Sequence, residues 1–108
     1  MAYADARLTC VADHKIYKQW CLDTTDVVAT VDTDNYITDA KTLGMSKGDL
    51  LYVRVWTTAI PASSAELQTD AATAAVLADA AFMVCMGINA TGGADLSNET
   101  GIAVANAD

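Results

Sequence analysis

Lys47-Gly48-Asp49-Leu50-Leu51-Tyr52-Val53-Arg54-Val55-Trp56-Thr57 is the stretch whose reading decides the fold. Glycine adopts positive φ without steric cost, so Lys47-Gly48-Asp49 reads as a turn. Out of it comes a run in which Leu51, Val53 and Val55 make one apolar face while Leu50, Tyr52, Arg54 and Trp56 make an amphipathic one, the period of two of a strand. That second face combines Tyr, Arg and Trp, residue types enriched where proteins touch each other. The plainer reading of the same face is long side chains lying over a sheet with their polar ends in water.

Upstream, Ile16, Trp20 and Leu22 fall on one face, interrupted by Lys18, and Tyr17, Gln19, Cys21 and Asp23 fall on the other, which predicts a strand over 16–23. Thr24-Thr25-Asp26 stops it. Thr and Asp accept backbone N–H bonds at helix starts, so 27–31 is expected to form a turn or two of helix with Val28 and Val31 inward. The polar turn Asp32-Thr33-Asp34-Asn35 follows, and Tyr36 and Ile37 re-enter the core. Thr38-Asp39 is expected to cap a second short helix through Ala40, Lys41, Thr42 and Leu43, with Gly44 as its left-handed end. Residues 1–13 hold only Leu8 and Val11 as sizeable aliphatics and read as an arm that pairs at a sheet edge or reaches to a neighbour. The expected division is an N-terminal arm over 1–15 and a single β-rich domain over 16–108.

Downstream, the segment 61–81 is ambiguous. Ser63-x-x-Glu66 matches a capping box, and Leu67, Ala71, Ala74, Ala75 and Ala78 have helical spacing, which favours a helix within 65–78; loop and weak strand over 69–81 is the alternative. Phe82, Val84, Met86 and Ile88 then alternate on one face of another strand, ending at the hairpin-like turn Asn89-Ala90-Thr91-Gly92-Gly93. Residues 94–100 are polar, and Gly101-Ile102-Ala103-Val104-Ala105 reads as a short closing strand. The fold class is therefore mainly β: a small single-domain β-sandwich or barrel-like sheet with one to three short helices.

Composition sets the bounds on function. The chain has 108 residues and is 53% hydrophobic but only 6% aromatic, and much of its apolar content is Ala. Such a core is thin, so part of the stability is expected to come from association with neighbouring subunits. The net charge is −8, from 14 acidic against six basic residues, and no basic cluster is present to displace counterions from phosphates. Nucleic acid is not an expected partner; the acid excess keeps an exposed protein soluble. Cys10, Cys21 and Cys85 are odd in number and lack a C-x-x-C spacing, so they read as small buried hydrophobes in a protein assembled in a reducing compartment. Residues 1–5 lack the basic flank and apolar run of a signal peptide, and no apolar stretch reaches the ~20 residues of a membrane span. Synthesis in the cytoplasm and no membrane partner are expected.

No constellation of residues points to catalysis. His14 stands between Asp13 and Lys15 with no second histidine to build a zinc site. Ser46, Ser63, Ser64 and Ser97 lack a nucleophile-elbow context. The aspartates at 32, 34 and 39 suggest a calcium loop, but its fifth, sixth and twelfth positions are Tyr36, Ile37 and Leu43 instead of an oxygen ligand, glycine and glutamate. Asx-turns and caps explain Asp32, Asp34 and Asp39, with a weak, irregular cation site as the alternative. Neither an enzyme nor a cofactor is expected.

One larger pattern remains. It runs Trp20-x-Leu22-x-Thr24-x-Asp26, Val31, Tyr36-Ile37-x-x-Ala40, Leu43, Gly48-Asp49-Leu50-x-x-Val53, then Ala80-Ala81-Phe82-x-Val84, the 89–97 turn and the Ile102-Ala103-Val104-Ala105-Asn106-Ala107-Asp108 ending. This succession resembles small head proteins of tailed double-stranded-DNA phages and gene transfer agents. The resemblance implies a non-enzymatic virion building block on the capsid surface, a decoration (cement) protein that binds the outside of the major capsid protein shell and stabilises it. The alternative it leaves is a vertex spike, head fibre or tail-tip module that binds a host surface glycan, with Trp20 or Trp56 exposed to stack on sugar. Its implied partners are the major capsid protein and further copies of the chain, a closed trimer ahead of a pentamer. The contact residues expected are Tyr52, Arg54 and Trp56, with Tyr3 and Arg7 of the arm, because these offer anchors without an evident core role; alanine at Trp56 is then expected to leave the fold intact.

Overall fold

The structure is a computed structural model that describes residues 3, 6–33, 35–57, 59–61 and 76–102. Among these are six strands, β1 (Arg7–Asp13), β2 (Lys18–Thr24), β3 (Leu50–Trp56), β4 (Leu77–Ile88), β5 (Ala94–Leu96) and β6 (Thr100–Ile102), and two one-turn helices, α1 (Val28–Val31) and α2 (Ala40–Leu43). The fold is mainly β with short helices in a small single domain, and its described strands belong to one sheet in the order β1-β2-β3-β4-β5, with β6 also on β4. The register about the 89–93 turn is the same at both ends, Ile88 opposite Ala94 and Ala80 opposite Ile102, so β5 and β6 are two parts of one antiparallel partner of β4. Between them Val84 and Ser97 hold the ladder: the Ser97 amide donates to the Val84 carbonyl, and the Val84 amide to Ser97 Oγ.

β2 and β3 run parallel, Trp20 opposite Leu51 and Asp23 opposite Arg54. Parallel neighbours cannot be joined by a tight turn and need a crossover of a dozen or more residues. Here the crossover carries α1 and α2 across one face of the sheet. Its Val28, Val31, Tyr36, Ile37, Ala40 and Met45 are buried against Trp20, Leu22, Leu51, Val53, Val55, Ala81, Met83 and Cys85. Leu22, Ile37 and Val53 are 0% exposed; each such side chain contributes about 1.5–3 kcal/mol through burial. This layer, one sheet face under one crossover, is the core.

Polar groups fix the crossover at both ends. At its start the Tyr36 hydroxyl donates to Asp26 Oδ2 and lies 3.1 Å from Thr24 Oγ1, which also accepts the Asp26 amide. At its end Asp49, 2% exposed, accepts the Trp20 indole N–H and the Ser46 amide on Oδ2 and the Lys18 amide on Oδ1. The Gly48 turn that delivers Asp49 has φ +93, which a side chain would strain. In the middle, the β4–β5 turn closes over the crossover: Asn35, itself at φ 64, donates its amide to the Ala94 carbonyl and accepts from Asn89 Nδ2, while the Lys41 amide donates to the Gly92 carbonyl. A Cβ at Gly93 would collide with Asn35 Oδ1, so glycine there is a condition of this approach.

The arm takes the first of its two expected forms and pairs at the sheet edge: Arg7–Asp13 runs antiparallel to β2, and one extra residue, Val11, bulges between Cys10 and Ala12. At other points the structure departs from the sequence reading. β2 begins at Lys18, and Ile16, expected on its core face, is 94% exposed in the turn that follows the positive-φ Lys15. Neither helix is capped by its expected side chain; the carboxylates of Asp26 and Asp39 are taken by Tyr36 and Tyr3 instead. Most of the helix expected within 65–78 lies outside the described residues, but Leu77 and Ala78 are strand, drawn in because Leu77 pairs with Trp56. The polar stretch after the turn contains β5, whose Ala94 and Leu96 are 0% and 6% exposed. The closing strand is Thr100–Ile102, and residues 103–105 lie outside the described set.

Candidate functional site: the open face of the sheet

Because side chains alternate along a strand, the face opposite the crossover is set by the same registers that build the core. Where β3 sends Leu51, Val53 and Val55 inward, Leu50, Tyr52 and Arg54 point outward and are half-buried. Where β4 sends Ala81, Met83 and Cys85 inward at 1% exposure each, Phe82, Val84 and Met86 point outward at 41%, 39% and 54%. Tyr52 is opposite Phe82 in the ladder, and their rings meet at 5.4 Å in a tilted pair. The larger side chains of β4 between Ala81 and Met86 are thus mostly on the side opposite the crossover. An antiparallel strand with one solvated face ordinarily carries polar residues there; this one carries Phe, Val and Met.

At one end of that face a charged cluster is built by the parallel register of β2 and β3. Asp23 sits beside Arg54, accepting from its Nε at 2.7 Å and its Nη2 at 3.0 Å, a two-pronged contact. The Trp56 indole N–H donates to the same Asp23 Oδ1 at 3.0 Å, and the guanidinium lies 5.3 Å from the centre of the Trp56 ring. The bond to Asp23 raises the pKa of Arg54. Burial, and then the neighbouring Asp23 carboxylate, push the Cys21 thiol up. Asp23 is 5% exposed and Trp56 6%. Trp56 is therefore a held, buried side chain and not the free anchor expected of it, and alanine there removes packing as well as a hydrogen bond.

The remaining expected contact residues have partners within the chain. The Tyr3 hydroxyl donates to Asp39 Oδ1 at 2.7 Å and its ring meets Tyr36 edge-on at 5.8 Å, so Tyr3 is fastened to the crossover. Burial, then the bond to Asp39, push its phenol well above the ordinary tyrosine range. Arg7 donates to the Pro61 carbonyl at 2.6 Å and stands opposite Asp23 in the β1–β2 ladder. The structure thus gathers Arg7, Arg54 and Trp56 around Asp23, places Tyr52 along the same face, and puts Tyr3 on the crossover side.

Other candidates resolve locally. His14 is exposed in the β1–β2 turn. Asp32 shares a hydrogen bond with Glu99 that raises its carboxyl, while Glu99 is lowered first by its own amide and then by Asp32. Among the described residues no group of three or more His, Cys, Asp and Glu could hold a metal ion. All three cysteines are free, and Cys10, expected inside, is exposed. No helix among the described residues is long and apolar enough to cross a membrane.

Comparison with protein-family models, with curated proteins and with solved structures finds no match. The site therefore stands on its geometry. The alternation of Phe82, Val84 and Met86 is plain in the sequence, but the face it belongs to is not, because Met83 and Cys85 are apolar as well. The Tyr52–Phe82 neighbourhood spans 30 residues and follows only from the β3–β4 register.

Proposed function

We propose that this chain is a non-enzymatic structural protein of a virion, a capsid decoration (cement) protein that binds the outer surface of the major capsid protein shell and stabilises it. The observation that carries the reading is the open face on which Phe82, Val84 and Met86 stand out beside Tyr52. Contiguous exposed apolar side chains mark association sites, and the resemblance to phage head proteins supplies the setting. In that setting the partners are the major capsid protein and copies of the chain, a trimer ahead of a pentamer. The glycan-binding alternative loses its platform, since Trp20 and Trp56 are 4% and 6% exposed and neither indole is free to stack on a sugar.

The test is reconstitution. Purified protein added to shells that lack it should bind to a fixed copy number and raise the temperature at which the shells break open. Absence of saturable binding to the shell, or binding that leaves shell stability unchanged, overturns the reading. A glycan that shifts tryptophan fluorescence would restore the alternative.

A further inference from the structure

We infer that the β1–β2 turn and the lysines around its base form a docking end for an acidic, apolar segment of a partner protein. The inference goes beyond the decoration reading and concerns a surface separate from the open face.

Charge is the first ground. The chain carries −8, yet its four lysines, Lys15, Lys18, Lys41 and Lys47, stand together at the end of the sheet where β2 and β3 begin. Lys15 is in the β1–β2 turn and Lys18 opens β2. The Lys18 amide donates to Asp49 Oδ1, two residues after Lys47, and a Cβ on Gly44 would lie 3.9 Å from Lys18 Nζ. Lys41 is in α2, which closes at Gly44, and its amide donates to the Gly92 carbonyl in the β4–β5 turn at the same end. Against these cations the described residues set Asp13, 4.0 Å from Lys18 Nζ, and the buried Asp49. Asp39 is taken by Tyr3, and Asp95 is on β5, three strands along from β2, facing the open side while its neighbours Ala94 and Leu96 face in. Arg7 and Arg54 are engaged toward the other end of the strands, around Asp23. The acid excess already keeps the chain soluble, so solubility does not call for lysines in one place. Their gathering makes a cationic end on an anionic protein, which orients an acidic partner and turns away a basic one.

Shape is the second ground. The turn is fixed by the His14 amide donating to the Tyr17 carbonyl, the Ile16 amide to the His14 carbonyl and the Lys15 amide to Asp13 Oδ1. Lys15 holds φ 71, a region that costs energy for any residue but glycine. This conformation presents Ile16 at 94% exposure between Lys15 and Lys18, with Tyr17 beside it at 37%. Leu43, next to Gly44 and so close to the Lys18 side chain, is 43% exposed. An aliphatic tip held outward in a fixed turn offers a partner apolar burial with little ordering cost. Phosphates would match the lysines but not the aliphatics among them. A protein segment bearing both carboxylates and apolar side chains matches both.

The experiment follows amide shifts of the isotope-labelled full chain on titration with a synthetic peptide of Asp and Glu that carries Leu and Phe. Two comparison peptides replace its acids by Asn and Gln, or its Leu and Phe by Ser, and duplex DNA is the last probe. With the first peptide the shifts should gather on residues 14–18 and 41–48 and shrink at about 0.5 M salt. Either replacement should weaken binding at least about tenfold. Lys15→Glu together with Lys47→Glu should do the same, Ile16→Ser should weaken binding by about as much, and Val27→Ser, at the start of the crossover and 63% exposed, should leave it unchanged. All these positions are exposed, and the amide spectrum of each variant shows that it is folded; should the double variant not fold, Ile16→Ser carries the comparison. Absence of shifts, shifts centred elsewhere, equal binding of a comparison peptide, or binding that survives both the charge reversal and Ile16→Ser overturns the inference. Equal or tighter binding of DNA at these residues overturns it as well, and so do shifts of the same amides on dilution of the chain alone, which would put a second copy there. No shell enters this experiment, so peptide docking and shell reconstitution succeed or fail separately.

Discussion

The indole Nε1 of Trp20 donates to Asp49 Oδ2 at 3.0 Å, tying the second strand to the turn that launches the third, 29 residues later. The same carboxylate accepts the amides of Ser46 and Lys18. One buried side chain thus aligns the parallel pair at its entrance, where a crossover rather than a tight turn must set the register.

Asp49→Ala leaves these donors without an acceptor, and unsatisfied buried groups cost about 1–3 kcal/mol each. A loss of about 3 kcal/mol or more is expected, a large share of the ~5–15 kcal/mol that holds a domain together. Urea unfolding followed by tryptophan fluorescence reads it directly, since Trp20 reports on its own partner. An unchanged midpoint would mean that the carboxylate does not hold the register.

Trp56→Ala should destabilise the isolated chain by about 3–5 kcal/mol, the range for a large aromatic removed from a packed site, because Trp56 is 6% exposed and bound to Asp23. Trp56→Phe keeps most of the packing, loses the hydrogen bond and should cost distinctly less. A melt in which the two variants coincide with the parent would return Trp56 to the surface.

The two faces of β4 should answer differently to the same change. Met83→Ala, from a side chain 1% exposed, is expected to cost about 2–5 kcal/mol. Met86→Ala, from one 54% exposed, should fall within about 0.5 kcal/mol of the parent. Denaturant melts of the monomeric concentration range test the pair; equal effects would contradict the assignment of inner and outer faces.

Tyrosine titration at alkaline pH provides a further check. Burial and Asp39 hold the Tyr3 phenol above its ordinary value, and the unfolded chain releases that proton first, near pH ~10. The stability contributed by this shift is therefore present below pH ~10 and is lost as pH rises through the folded value. Tyr3→Phe should cost about 1 kcal/mol or less near neutrality, as one half-exposed hydrogen bond does, and should show a shallower stability loss above pH ~10. If absorbance shows every phenol titrating together near its ordinary value, the Tyr3–Asp39 bond is not formed in solution.

Much of this fold is legible in the residues. The alternation around Val53, the positive-φ glycines at 44 and 48, the inward Val28 and Val31, and the return of Tyr36 and Ile37 to the core all follow from local pattern and all hold. What local pattern misses is decided by distant pairing. Ile16 has the right spacing for the core face but precedes the first residue that pairs with β3, so nothing covers it. Ala94-Asp95-Leu96 is too short to show a period and is a strand because β4 is there to receive it. Thr24, Asp26 and Asp49 were visible as polar punctuation, whereas their use as acceptors depends on Tyr36 and Trp20 arriving from other elements. Trp56 looked free for the same reason, since Asp23 reaches it only through the parallel register.

The strands along the main path of the sheet stand in the order in which they are made, β1 through β5. Among the described strands none has to be threaded between two already paired; each of β1 to β5 arrives beside its predecessor, and β5 and β6 then share the far edge of β4. The hairpin of β1 and β2 forms from neighbouring residues, and the closure of β3 onto β2 is the longest wait, because it brings together residues such as Trp20 and Leu51 across the crossover. Until β4 is added, the growing edge is always the newest strand, so exposure to mispairing is brief at each step. Sheet order in this protein doubles as a schedule for its own synthesis.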